Sequence, residues 1–226
     1  MAGEPAVASF DPDLLWRWVA ARSIARGLPL PAPDRGGMRV DTGLPTEVRR
    51  YVFASPGPGL RELAETIDTP LVYLKVCAAA GDLRDLLPPR WQLQPAGYLM
   101  AHDGQPTAPI PPAAGYRIEL LRDGAVSAAR ILADDGTLAA SGYAVEHDGV
   151  FILDRILTDP AHRRRGLGRA LVTALGSMQR DGTARRVLVA TEDGCALYST
   201  LGWRILSPYS TIVIPHRLSN RPDNPS

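Results

Sequence analysis

The chain has 226 residues, 45% of them apolar, and a formal charge of +1. That length suits one large domain or two small ones, and that apolar content can fill a core. The near-zero charge excludes a strong field steering the protein to nucleic acid or membranes, and two cysteines, Cys77 and Cys195, make no disulfide framework.

The elements are read in chain order. Asp11 to Arg26 predicts a helix: Asp11 serves as N-cap, Pro12 suits the first turn, and Leu14, Leu15, Trp18, Val19 and Ala21 form an apolar stripe. Strands are expected at Met38–Thr42 and Val48–Phe53, a helix at Pro58–Ile67, and an almost continuously apolar strand at Leu71–Cys77. A helical turn at Asp82–Leu87 and strands at Trp91–Leu93 and Tyr98–His102 follow. Residues 104–115 are rich in proline and small side chains and read as an extended linker. Four strands come next, Tyr116–Leu121, Ala125–Leu132, Leu138–Glu146 and Val150–Leu157, with Gly124, Asp135-Gly136 and Asp148-Gly149 between them. Turns this short imply an antiparallel meander. A helix at Leu167–Gln179, a strand at Val187–Ala190, a helix at Cys195–Leu201 and strands at Trp203–Leu206 and Thr211–Ile214 complete the pattern. The chain also echoes itself: the stretch from Tyr73 to Ala101 and the stretch from Val187 to Ile214 are both strand–helix–strand units with a tryptophan before the last strands.

The most informative run is Asp159 to Leu171, where an apolar strand passes through glycines and arginines into a helix. The first helical N–H groups lack partners inside the helix, and the dipole adds positive potential there. Glycine lets the backbone approach an anion closely, so Arg163, Gly166 and Gly168, spaced R-x-x-G-x-G, read as a phosphate site. A phosphate-binding loop of the G-x-x-x-x-G-K-[ST] type is excluded, because the only lysine is Lys75. A dinucleotide fingerprint is excluded because the third glycine is missing after Gly166 and Gly168. Taken alone, the loop also fits a solvated helix entry.

With its flanks, the segment Ile156–Leu171 resembles the acyl-CoA-binding motif of the GNAT superfamily of N-acyltransferases, with Pro160, Arg163, Gly166 and Gly168 at the matching places. Val187–Trp203 is similar to the second motif of that family through Leu197, Tyr198, Gly202 and Trp203, with Gly194 where alanine is usual. The resemblance covers roughly residues 116–217. It implies an α+β fold, a mixed but mainly antiparallel sheet flanked by helices, lacking the usual pair of helices between the first two strands. The echo implies a smaller, related and degenerate N-terminal α/β unit over 1–103, joined by the 104–115 linker to a catalytic domain at 116–217 with a flexible tail at 218–226. The N-terminal unit lacks R-x-x-G-x-G and is expected to shape the acceptor pocket, not to hold a second cofactor.

The resemblance further implies acetyl-CoA as cosubstrate, with the loop Arg163, Arg164, Arg165, Gly166, Leu167, Gly168 and Arg169 holding the pyrophosphate. It places Leu157 and Thr158 beside the pantetheine arm, a backbone N–H near Leu157 as oxyanion donor, and Tyr198 as the acid that protonates the leaving thiolate. The base carries over from no motif. Asp154, in strand phase with Ile156 and Thr158, is the candidate, and Glu119, Glu192 and water are alternatives. Thr158 departs from an apolar preference, and Glu192-Asp193 from a common asparagine, which puts one pantetheine contact in doubt. His102, His147, His162 and His216 lack ligand spacing, so no metal is expected. The expected acceptor is a small-molecule or peptide amine, with no nucleic acid or membrane partner, and the oligomeric state is unreadable. With no secretory start and no long apolar run, a cytoplasmic location is expected. A catalytically silent acyl-CoA sensor or partner subunit is the competing reading.

Overall fold

A computed structural model describes residues 10–105 and 107–216; the tail expected at 218–226 lies outside them. Helix α1 (Pro12–Ala25) starts where Asp11 accepts from the N–H groups of Asp13 and Leu14, satisfying two of its orphan donors. Strands β1 (Ala32–Asp34), β2 (Gly37–Leu44) and β3 (Glu47–Phe53) follow, then α2 (Pro58–Thr66) and β4 (Val72–Val76). A 3-10 turn at Ala80–Leu86 leads to β5 (Gln92–Leu93) and β6 (Gly97–His102). After residues 104–115 come β7 (Tyr116–Asp123), β8 (Val126–Ala133), β9 (Leu138–His147), β10 (Val150–Thr158), α3 (Leu167–Gly176), β11 (Arg185–Thr191), α4 (Glu192–Thr200) and β12 (Arg204–Val213).

One sheet joins the whole described chain in the order β1-β2-β3-β4-β12-β6-β11-β10-β9-β8-β7, with β5 attached to β12. The α+β fold expected from the sequence is therefore present, mainly antiparallel with helices on both faces. Parallel pairing occurs twice, β3 with β4 across α2 and β10 with β11 across α3, where a crossover helix is needed to return the chain. The centre of the sheet is interleaved. Strand β6, from before the linker, pairs with β11, while β12, from the end of the described chain, pairs with β4. Between them β6 and β12 pair with each other.

Three apolar cores result. One lies under α3 and α4, built from Phe151, Leu153, Leu167, Leu171, Leu175, Leu188, Tyr198 and Trp203. A second lies beneath α2, around Leu60, Leu63, Leu74 and Ile212. The third lies under α1, which packs Leu14, Leu15 and Trp18 on Met38, Val40 and Val52 of one half and Val145, Val150, Ile152 and Val187 of the other. The N-terminal helix thus covers the face left bare by the absence of helices between β7 and β8, contacting β9 and β10 directly.

Several elements differ from expectation, among them α4, which starts at Glu192 and not at Cys195 because the Thr191 side chain caps it through the Gly194 N–H. The helix expected to reach Gln179 ends at Gly176, with Met178 and Gln179 bonding back in tight turns to Leu175 and Gly176. Segments 203–206 and 211–214 are one strand, β12, because Pro208 is accommodated beside a register shift between Ile205 and Ser207 instead of breaking the ladder. Strand β1, too short to leave a periodic signal, was not expected.

Candidate active site

The glycine–arginine loop folds as an anion cradle. Gly166 is the N-cap of α3 at φ 74°, a left-handed conformation that glycine takes without steric cost, and no side chain caps the helix. The first intrahelical bond runs from the Ala170 N–H to the Gly166 carbonyl, so the N–H groups of Leu167, Gly168 and Arg169 are left without helical partners. Arg163, Arg164, Arg165 and Arg169 are exposed around them. Arg165 donates to the Tyr116 hydroxyl at 2.8 Å, and that hydroxyl also meets His162 Nδ1 at 3.0 Å. Gly168 has little room: a Cβ there would stand 3.1 Å from Leu197 and 3.8 Å from Thr158 Oγ1.

Beside this cradle the sheet opens. Strands β10 and β11 pair only from Val150↔Arg185 to Ile152↔Val187. Beyond that point β10 stays laddered to β9 through Leu157↔Ser141 and Thr158↔Ala140, and β11 stays laddered to β6, so their facing edges separate. A register shift between Asp154 and Leu157, with Arg155 at φ 53°, turns the strand at the mouth of the gap. A left-handed non-glycine residue is strained, and such strain persists only where its surroundings hold it. Here Arg155 is held by stacking its guanidinium 3.9 Å over the Tyr143 ring and by donating to the Ala25 carbonyl. An unpaired strand edge offers alternating N–H and C=O groups to an amide-bearing chain.

Tyr198 lies on α4, 6% exposed, on the α3 side of the sheet, edge-on to Trp203. Its hydroxyl has no hydrogen-bond partner among the described residues, and burial pushes its pKa up. It therefore holds its proton firmly at neutral pH. A Cβ at Gly194 would stand 3.3 Å from Thr191 Oγ1 and 3.4 Å from the Tyr198 ring, so an alanine there needs only a small shift.

Asp154 differs from expectation in both face and chemistry. The register shift at Arg155 breaks the strand phase, so Asp154 lies toward α1 while Ile156 packs toward α3 against Gly142 and the α3 core. Arg26 takes both of its oxygens at 2.7 and 2.8 Å, and Arg22 and Arg155 stand at 3.6 and 3.5 Å. Burial pushes its carboxyl up, but the Arg26 hydrogen bonds and the charges of Arg22, Arg26 and Arg155 outweigh it and hold the pKa below the ordinary carboxylate value. A carboxylate held in this way is a poor base. Glu119 sits on β7, the strand at the far edge of the sheet, paired with Arg117, and Glu192 is exposed at the start of α4.

Sequence reasoning missed the basic residues gathered between α1 and the sheet: Arg22 and Arg26 from the helix, Arg50 and Lys75 from the strands. One signal was present, a lysine inside the apolar strand Leu71–Cys77. Another was the i, i+4 spacing of Trp18, Arg22 and Arg26 along the buried side of α1.

Known proteins bear on this geometry. The family model described as an acetyltransferase (GNAT) domain matches residues 127–205. By structure, the chain is similar to a GCN5-related N-acetyltransferase from Kribbella flavida, with 16% identity, 88% of this chain and 96% of that one covered, and a TM-score of 0.58. An acetyltransferase of the GNAT family from Novosphingobium aromaticivorans matches at 18% identity over 88% and 96% of the two chains, TM-score 0.56. A GCN5-related N-acetyltransferase from Sphaerobacter thermophilus matches at 14% identity over 80% and 78%, TM-score 0.56. No curated protein matches by sequence.

Proposed function

For a chain that carries a GNAT acetyltransferase domain on the GNAT fold, we propose the activity of an N-acetyltransferase that moves an acetyl group directly from acetyl-CoA to a primary amine. The observation that carries this is the uncapped N-terminus of α3 beside the parting of β10 and β11. The N–H groups of Leu167, Gly168 and Arg169 take the pyrophosphate, and Arg163, Arg164 and Arg165 neutralise its charge. The free edge of β10 at Leu157 and Thr158 pairs with the amide-bearing arm, and a backbone N–H there receives the developing oxyanion. The amine nitrogen forms its bond to the thioester carbon, the C–S bond breaks, and the Tyr198 hydroxyl gives its proton to the departing sulfur. The amine's proton leaves to water or to the exposed Glu192 at the start of α4, since Asp154 is tied into ion pairs and Glu119 lies on the edge strand β7 paired with Arg117.

We read residues 1–103 and 116–217 as two related units of which only the second binds acetyl-CoA. The repeated strand–helix–strand crossover and the mirrored strand order support this. The test is single-turnover release of free thiol from acetyl-CoA against a panel of amines, run with the parent and with Tyr198→Phe. Amine-dependent release that falls about 10²-fold in the variant is expected. Acetyl-CoA binding with no release by any amine would favour the silent sensor.

A further inference from the structure

Arg22, Arg26, Arg50 and Lys75 meet Glu47 and Asp154 on the α1 face of the sheet, around the interleaved strands. The two carboxylates are consumed in two-point contacts. Arg26 holds both oxygens of Asp154 at 2.7 and 2.8 Å, and Arg50 holds both oxygens of Glu47 at 2.6 and 3.1 Å. Arg22 stands 3.6 Å from Asp154 and makes no hydrogen bond among the described residues. Lys75, 8% exposed and the only lysine in the chain, has no ion pair or hydrogen bond among them either, only the Tyr73 ring at 5.1 Å. The Tyr209 hydroxyl, on a residue 5% exposed, is likewise buried without a partner.

Lys75 on β4 stands opposite Thr211, two residues along β12 from Tyr209, and the Trp18 ring meets Tyr209 edge-on at 5.6 Å while carrying the Arg22 guanidinium at 5.6 Å. The Lys75 ammonium and the Tyr209 hydroxyl are thus left without a polar partner, beside an Arg22 that shares Asp154 with two other arginines and lies 5.6 Å over the Trp18 ring. Burying unpaired charge is costly, and the lysine responds: burial and the charge of Arg22 bring its pKa down to about 7. A site with surplus donors and no acceptor matches an oxyanion. Its position matches an acceptor, because Asp154 follows closely on the last β10–β11 pair and lies on the face opposite Tyr198. On the acyltransferase reading the cosubstrate lies toward α3, so the acceptor would approach from the α1 side, where these groups lie beneath the helix.

We propose that Arg22, Lys75 and the Tyr209 hydroxyl bind an oxyanion on the acceptor, so that the substrates are amines carrying a carboxylate or phosphate. The inference rests on the acyltransferase reading above. Asp154 and Arg26 are positioning residues that hold Arg22 in place. Neutral amines and polyamines lack the group these donors need, and a polyamine adds repulsion.

The test pairs amino acids with their carboxamides and adds aminoalkyl phosphates and spermidine, in thiol-release assays with acetyl-CoA. An acidic amine should turn over, with its carboxamide at least about ten-fold less efficient. Lys75→Met and Arg22→Gln should raise KM for that acid about ten-fold or more while acetyl-CoA binding, read by calorimetry, is unchanged. Equal use of acids and carboxamides, preference for spermidine, or an unmoved KM in Lys75→Met overturns the proposal. Methionine fits a lysine site without charge, so this variant keeps the test open if Arg22→Gln does not fold. If no amine turns over, succinate and inorganic phosphate are titrated into the parent and into Lys75→Met, each saturated with CoA. Saturable stabilisation of the parent alone supports the site and says which oxyanion it prefers; equal behaviour overturns it. Failure to bind acetyl-CoA would defeat the transferase reading and leave this second result standing.

Discussion

The two strand–helix–strand crossovers of this protein share an architecture and differ in what they leave open. In β3–α2–β4 the parallel strands pair from Arg49↔Val72 to Phe53↔Val76, and Pro58 at the start of α2 removes a donor where an anion would need one. In β10–α3–β11 pairing stops at Ile152↔Val187, and a left-handed glycine opens a helix with free N–H groups. The same fold unit is closed in one half and gapped in the other. A binding site here consists of hydrogen bonds withheld from the sheet and from a helix end.

The contrast is broken most severely at Gly168. Gly168→Val puts methyl groups against Leu197 at the opening of α3, and on the acetyltransferase reading acetyl-CoA affinity should fall more than about 10²-fold by calorimetry. Gly57→Ala at the other crossover, with open space around it, should leave affinity unchanged. Equal losses would mean that both crossovers bind.

Asp154→Asn comes next. It leaves Arg22, Arg26 and Arg155 without their shared anion and should cost about 3–5 kcal/mol in denaturant unfolding. Because its folded pKa lies below the unfolded one, that contribution is full above the unfolded value and disappears as pH falls through the folded one. Parent and variant should therefore converge in acid. A variant as stable as the parent, with KM for the acceptor unmoved but kcat lost, would restore Asp154 to the base role.

The smallest effect is expected at Lys75, which faces Arg22, Arg26, Arg50 and Glu47. Its folded pKa of about 7 lies below the unfolded value of 10.5, so the unfolded chain binds more protons in between and the lysine's cost shrinks as pH rises across that window. Lys75→Met should raise Tm by several degrees at pH 6 and by less near pH 10, measured by thermal unfolding without ligand. A gain independent of pH would mean that the fold does not shift the Lys75 pKa and that its ammonium keeps its charge as it does in the unfolded chain.

The loop's shape was legible because it is local: Gly166 at φ 74° opens α3 and leaves the N–H groups of Leu167, Gly168 and Arg169 without helical partners. The place of Tyr198 on a helix packed against Trp203 was legible through the pattern around it. The α1-face charges were not, because Arg22, Lys75 and Tyr209 meet only through long-range strand order, and sequence spacing holds no trace of which strand lies beside which. Asp154 was misjudged by one residue's conformation. Strict alternation puts it with Ile156, and Arg155 at φ 53° undoes the alternation.

The interleaving of β6 and β12 has a consequence for how the protein is made. On the ribosome the first half emerges with β1 to β4 and then waits. The free edge of β4, Val72–Val76, finds its partner only when β12, Arg204–Val213, has been synthesised. Until then an apolar edge strand is open to pairing with other chains, the exposure that invites aggregation. A ribosome that stops after residue 203 therefore releases two incomplete halves rather than one finished domain and a fragment, and the last strand decides the fate of the first.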